Sequence, residues 1–140
     1  MANSSFVVTD DTMIECGIGS ISNRCRKITL TWVGDDATGA VPNLNLPLYG
    51  FVAKIIFNPS GVTAPTANYD FVLGSDEDSA LDEAFSAGLN LSATTTSVNY
   101  PTSSGGKMQS FLAGTYTLQI SGNSVASASG RIIIYMIDGY

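Results

Sequence analysis

Apolar and polar residues alternate along several short stretches of this chain. In RKITLTWVG, residues 26–34, polar residues separate Ile28, Leu30 and Trp32. An alternation with a period of two gives one core face and one solvent face, so it predicts a half-buried antiparallel strand. Residues 114–121, GTYTLQIS, repeat the pattern and predict a second strand of this kind.

Two longer stretches are apolar on both faces. Residues 48–59, LYGFVAKIIFNP, predict a central strand with a bulge at Gly50 and a turn at 58–61. Residues 130–140, GRIIIYMIDGY, predict a strand that lies between two others or against a partner chain, because a free edge would expose its second apolar face.

Weaker patterns complete the predicted fold. Strands are expected at 5–9, 38–41, 69–74 and 93–99, and residues 122–130 are expected to form a loop. Seven to nine strands joined by Gly, Pro, Asn and Ser turns predict an all-β antiparallel fold, a β-sandwich or jelly roll. The whole chain of 140 residues fits one domain of this type.

Half of the acidic residues fall within residues 69–85, YDFVLGSDEDSALDEAF. The pattern predicts a short helix near 79–87, with Ser79 as its N-cap and Gly88 ending it. A calcium site is the functional alternative. However, Ala80 occupies the third ligand position of an EF-hand pattern, and no glycine follows it. The carboxylates that could bind a cation there are those of Asp76, Asp78 and Asp82.

Composition argues against several functional classes. The chain has no histidine, and its net charge is -6, with six basic residues mostly scattered along the sequence. These features argue against nucleic-acid binding, a zinc centre and histidine-dependent catalysis, and no cofactor motif is present. A glycosidase would need two carboxylates facing each other, and nothing in the sequence selects a pair.

Cysteine use and the amino-terminal residues bear on the cellular compartment. Cys16 and Cys25 are expected to be buried free thiols, with a disulfide closing a small loop as the alternative. The first residues, MANSSFVVTDD, do not form a signal peptide, and no stretch reaches the ~20 apolar residues of a membrane span. We therefore expect synthesis in the cytoplasm and no membrane partner.

Two segments are predicted to contact another protein. Residues 1–11 have little reason to fold alone and are expected to form an extended arm, and residues 41–50, VPNLNLPLYG, place apolar residues around proline in a loop. Aromatic residues could alternatively form a carbohydrate platform, but most occupy core-facing positions. The predicted interface residues are Phe6, Val7, Val8, Leu44, Leu46, Leu48, Tyr49 and Tyr140.

Three motifs follow one another between residues 50 and 136: YD-x-x-L, G-x-N-x-S and G-x-[IV]-x-[IV]-Y. The residues that form them are Tyr69, Asp70 and Leu73, then Gly88, Asn90 and Ser92, and finally Gly130, Ile132, Ile134 and Tyr135. This order of motifs resembles that of small all-β virion proteins of tailed bacteriophages. The resemblance implies a structural role in a virion, with no catalytic residues.

This resemblance, together with a low-charge surface, leads us to expect a capsid decoration (cement) protein. It would form a homotrimer on the capsid surface and bind the major capsid protein through its amino-terminal arm and the adjacent loop. A head–tail neck or tail structural protein is one alternative. A carbohydrate-binding or receptor-binding module is another.

Overall fold

A computed structural model describes residues 4–15, 24–74, 90–100 and 111–137. These residues form seven antiparallel strands and no helix, which confirms the all-β prediction. The helix predicted near 79–87 lies outside the described residues. The strands are β1 (Ser5–Glu15), β2 (Arg24–Val33), β3 (Leu44–Pro59), β4 (Asp70–Gly74), β5 (Ser97–Asn99), β6 (Phe111–Ser121) and β7 (Ser129–Ile137).

The strands belong to one hydrogen-bonded sheet in the order β1-β2-β7-β3-β6-β4, with β5 also paired to β3. β3 is the central strand, as predicted: residues 44–51 pair with β6, residues 51–59 pair with β7, and residues 55–57 pair with β5. The prediction of a bulge at Gly50 is corrected, because the register of β3 shifts further along the strand, between Val52 and Lys54. Gly50 itself has a positive φ of 112°, which favours glycine.

Two aromatic contacts require this sheet to fold back on itself. The ring centroids of Phe57 on β3 and Phe71 on β4 lie 5.4 Å apart, and those of Trp32 on β2 and Tyr69 lie 5.7 Å apart. In a flat sheet, β2 and β4 would be four strand spacings apart, about 19 Å. The sheet therefore curls around a core. Its division into a sandwich or a jelly roll stays a prediction, because the described strands form one connected sheet.

The core contains the inward-facing residues of the predicted alternating strands. Ile28, Leu30 and Trp32 are fully buried, and burial raises the pKa of Tyr69 to about 12. The Trp32 ring lies over Gly130, where an added Cβ would meet Trp32 Nε1 at 2.8 Å. Among the described residues, Trp32 Nε1 has no hydrogen-bond partner.

Three loops are joined at one end of the sheet by Asn123. Its Nδ2 donates a hydrogen bond to the Gly39 carbonyl at 2.7 Å, and its Oδ1 accepts one from the Thr66 amide at 3.1 Å. Asn123 itself lies in the loop between β6 and β7, so one side chain holds together segments that are far apart in sequence.

The strand predicted at 38–41 is absent, because a side chain supplies that segment with its own hydrogen bonds. Asp35 Oδ1 accepts hydrogen bonds from the amides of Ala37 and Thr38, each at 2.8 Å, and a turn forms. These backbone bonds lower the pKa of Asp35. Gly39 follows with a positive φ of 77°, which is incompatible with an extended strand.

Other predicted boundaries shift. The strand expected at 5–9 extends to Glu15, the strand expected at 93–99 shortens to β5, and the loop expected at 122–130 ends where β7 begins. β7 lies between β2 and β3, which confirms one of the two positions predicted for this segment.

The expectation of free thiols is corrected. Cys25 is buried and disulfide-bonded. The only other cysteine in the sequence is Cys16, which lies outside the described residues.

Candidate functional site

The first predicted interface segment is an edge strand. Phe6 is buried in the chain's own core, so it is not available to a partner in this conformation. Val7 and Val8 are 46% and 36% exposed. Residues 5–11, which were predicted to form part of an extended arm, pair with β2 within the sheet. Of the contact residues predicted in this segment, Val7 and Val8 are accessible to a partner.

Within the part of the chain that the structure describes, β1 has one unpaired edge. It pairs with β2 on one side, and none of the described residues pairs with the other side. Beyond Phe6, every residue from Val7 to Ile14 is exposed, including Met13 at 54%. A register shift between Val8 and Asp10 is a β-bulge, a common device that limits unwanted pairing at an edge.

An ion pair fixes β1 against β2. Arg26 Nε donates to Asp11 Oδ1 at 2.8 Å and Arg26 Nη2 donates to Oδ2 at 2.6 Å, which is a bidentate arrangement. Arg26 Nη1 also donates to the Pro47 carbonyl at 3.1 Å, so the same side chain reaches β3. Hydrogen bonding to Arg26 is the main cause that lowers the pKa of Asp11.

The second predicted interface segment contributes one exposed aromatic residue. Leu46 and Leu48 are buried in the core and Leu44 packs against it, so these three leucines stabilise the chain itself. Tyr49 is 57% exposed. Tyr140 lies outside the described residues. The interface itself stays a prediction, now limited to Val7, Val8 and Tyr49 among the described candidates.

A pocket that no sequence pattern indicated lies on the face of the sheet opposite the core, which we call the outer face. Lys27, Tyr135 and Lys54 are aligned there on β2, β7 and β3, because Tyr135 pairs with both lysines. Lys54 Nζ lies 4.7 Å from the Tyr135 ring centroid and Lys27 Nζ lies 6.0 Å from it. A pocket of about 330 Å³ opens beside this row, lined by Ile14, Cys25, Ala53, Lys54, Tyr100, Tyr135, Met136 and Ile137.

The aromatic candidates for carbohydrate binding divide between core and surface. Trp32, Tyr69 and Tyr116 are buried, as expected for core packing. Tyr49 and Tyr100 are exposed, and Tyr135 is half-buried. Among the described aromatic residues, the exposed Tyr49 and Tyr100 are the best placed to contribute to a sugar platform.

Three carboxylates among the described residues form hydrogen bonds that stabilise local structure. Asp11 pairs with Arg26, Asp35 caps a turn, and Asp70 Oδ1 accepts a hydrogen bond from the Asn90 amide at 2.8 Å. No group of three or more potential metal ligands occurs within the described residues. The carboxylates at 76–83 lie outside them.

Comparison of the chain with protein-family models, with curated proteins and with solved structures finds no match. A search of the described residues also finds no helix long and apolar enough to cross a membrane.

Proposed function

We propose that this protein is a structural virion protein of a tailed bacteriophage, specifically a capsid decoration protein that binds and stabilises the shell of major capsid protein. It acts on the capsid surface after synthesis in the host cytoplasm. The proposal includes no catalytic activity, and it rests on the family resemblance together with one structural observation, the open edge of β1.

An edge strand of this kind can accept a strand from a partner protein. β1 has 11 residues, its outer edge is unpaired among the described residues, and both of its faces expose apolar side chains. Long apolar edges promote uncontrolled pairing unless something covers them, and a strand from another chain can cover them by β-augmentation. Docking on the capsid would supply that cover for many copies. We propose a homotrimer around a local symmetry axis of the shell.

The copy number of the chain in purified particles tests the virion role. Quantitative peptide mass spectrometry would compare it with the major capsid protein. We expect a ratio near one to one, or one to a few. Tens of copies or fewer would instead support a neck or tail structural protein, and absence from the particle would refute the virion role.

Substitution at the edge tests the mode of binding. We expect the double variant Val7→Lys with Met13→Lys to fold normally, because both side chains are exposed, and to lose binding to capsids stripped of the protein. Cosedimentation measures the binding and a thermal melt checks the fold. Val62→Lys is the matched control, since Val62 is 95% exposed and lies outside the strands. Equal binding by all three proteins would contradict docking at β1.

The exposed tyrosines favour the second candidate function, a carbohydrate-binding or receptor-binding module. Tyr100 is 68% exposed and lies at the mouth of the outer-face pocket. Binding to a glycan array that is lost on Tyr100→Ala, without any binding to capsids, would replace the decoration role with this one.

A further inference from the structure

The outer-face pocket combines apolar walls with positive charge that the described residues do not neutralise. Neither Lys27 nor Lys54 forms an ion pair with any described carboxylate, whereas Arg26 pairs with Asp11. Both ammonium groups lie near the ring of Tyr135, within the range of a cation–π contact. Two cations are therefore held beside one aromatic ring at the edge of an apolar pocket.

The distribution of charge makes this face unusual for an acidic protein. The chain has 12 acidic and six basic residues. Strand register places Lys27, Lys54 and Arg131 on the outer face, and the acidic residues that share it within the described strands are Asp10 on β1 and Asp70 on β4. These strands therefore give the face a small excess of positive charge although the chain is negative, and the two lysines beside the pocket complement an anionic partner.

The dimensions and surroundings of the pocket favour one kind of occupant. A volume of about 330 Å³ is at the lower end of the range for ligand sites, so it suits one or two side chains. Exposed Ile14 and Tyr100 line the pocket, and Val98, which lies on β5 two residues before Tyr100, is also exposed. An apolar surface that continues beyond a pocket favours a protein segment over a small molecule enclosed within it.

We propose that this pocket binds a segment of a partner protein that presents a carboxylate beside an apolar or aromatic side chain. The apolar side chain packs between Tyr135, Tyr100 and Ile14, and the carboxylate accepts hydrogen bonds from Lys54 and Lys27. Carboxylates are the anions that unmodified protein side chains supply, and ammonium–carboxylate hydrogen bonds are strong where solvent is partly excluded. This site does not depend on strand pairing at β1 or on the virion role.

Peptide titrations of the ¹⁵N-labelled full chain, followed by NMR, test the proposal. The probes are acetyl-Phe-Glu-Phe-amide, the same peptide with Gln in place of Glu, and free 3-phenylpropionate. We expect the Glu peptide to shift the amide signals around Tyr135 and Tyr100 saturably, and the Gln peptide to bind about fivefold more weakly or worse. Binding should also weaken as salt is added.

Variants assign the effect to the two lysines. Lys27→Gln and Lys54→Gln should each raise the dissociation constant for the Glu peptide about threefold or more, whereas Lys54→Arg should retain binding because it keeps the charge. Arg131→Gln is the matched control, because it removes a basic residue from the same face outside the pocket. If a Gln variant fails to fold, Lys54→Arg and the salt dependence of the unmodified chain still decide the outcome.

Three results would overturn the proposal. The first is equal binding of the Glu and Gln peptides, and the second is unchanged binding in both Lys→Gln variants. The third is saturable binding of 3-phenylpropionate without binding of the Glu peptide, which would make the pocket a small-molecule site.

Discussion

The contact between Gly130 and Trp32 leads to a specific prediction about stability. A Cβ added at Gly130 would lie 2.8 Å from Trp32 Nε1 and 2.9 Å from Cε2 and Cζ2. Carbon atoms in contact prefer separations of about 3.5–4.0 Å, so the ring would have to move by about 0.7 Å. Trp32 is fully buried and its ring packs against Tyr69, so a movement of this size disturbs the core.

We therefore expect Gly130→Ala to lower the free energy of unfolding by about 1–3 kcal/mol, the usual cost of overpacking a core. For a domain of this length the loss corresponds to a decrease in melting temperature of roughly 3–12 °C. Urea denaturation followed by far-UV circular dichroism measures it. The loss should be smaller in a Trp32→Phe background, because the atoms that clash belong to the indole ring, and the double-mutant cycle should be non-additive.

Gly61→Ala is the matched control. Nothing lies within 4 Å of an added Cβ at Gly61, and its φ is outside the positive region. This variant should be neutral or more stable by up to about 1 kcal/mol, because alanine restricts the unfolded chain. If Gly130→Ala unfolds at the same urea concentration as Gly61→Ala, or if its cost is identical with and without the indole, the packing argument is refuted.

Two further predictions concern polar interactions. Asn123→Ala should lower the free energy of unfolding, measured by urea denaturation, by about 1–3 kcal/mol, because it leaves the Gly39 carbonyl and the Thr66 amide without their partner. Asn45→Ala, at an exposed position, is the control and should lower it by less than about 0.5 kcal/mol. Equal losses in the two variants would contradict the role of Asn123 in linking the loops. Asp11→Asn should cost about 0.2–1 kcal/mol at pH 7, the usual worth of an exposed ion pair. Because folding lowers the pKa of Asp11 from 3.8, the ion pair stabilises the fold above that pH, and this stabilisation is lost as the pH falls through the lower folded value. The free energies of unfolding of Asp11→Asn and of the unmodified protein should therefore converge in acid denaturation. A difference that persists at low pH would count against the ion pair.

Local patterns in the sequence predicted the strands well, because the side-chain period of a strand is visible in the residues themselves. The alternation around Leu30 and the apolar residues on both faces of β3 and β7 are signals of this kind. The segment 38–41 was predicted incorrectly because the outcome depended on Asp35, whose side chain competes with strand pairing for the backbone amides.

Contacts between distant strands could not be predicted from the sequence alone. Phe57 and Phe71 meet because the sheet curls, and Lys27 aligns with Tyr135 because of the register between β2 and β7. Register depends on pairing across more than a hundred residues, which no local pattern encodes. The signal that could have indicated the outer-face pocket was the second apolar face of β7, which was interpreted only as evidence for an interior strand or a partner chain.

That second face also explains why lysines flank Tyr135. One face of β7 is buried in the core by Ile132, Ile134 and Met136, and the other carries the half-buried residues Ile133, Tyr135 and Ile137. The aliphatic stems of lysines can cover apolar surface while the ammonium groups stay near solvent. Lys27 and Lys54 can therefore shield Tyr135 in the isolated chain and still offer charge to a partner. For this reason Lys→Gln, which keeps most of the stem, is more informative than Lys→Ala, which would remove the packing together with the charge.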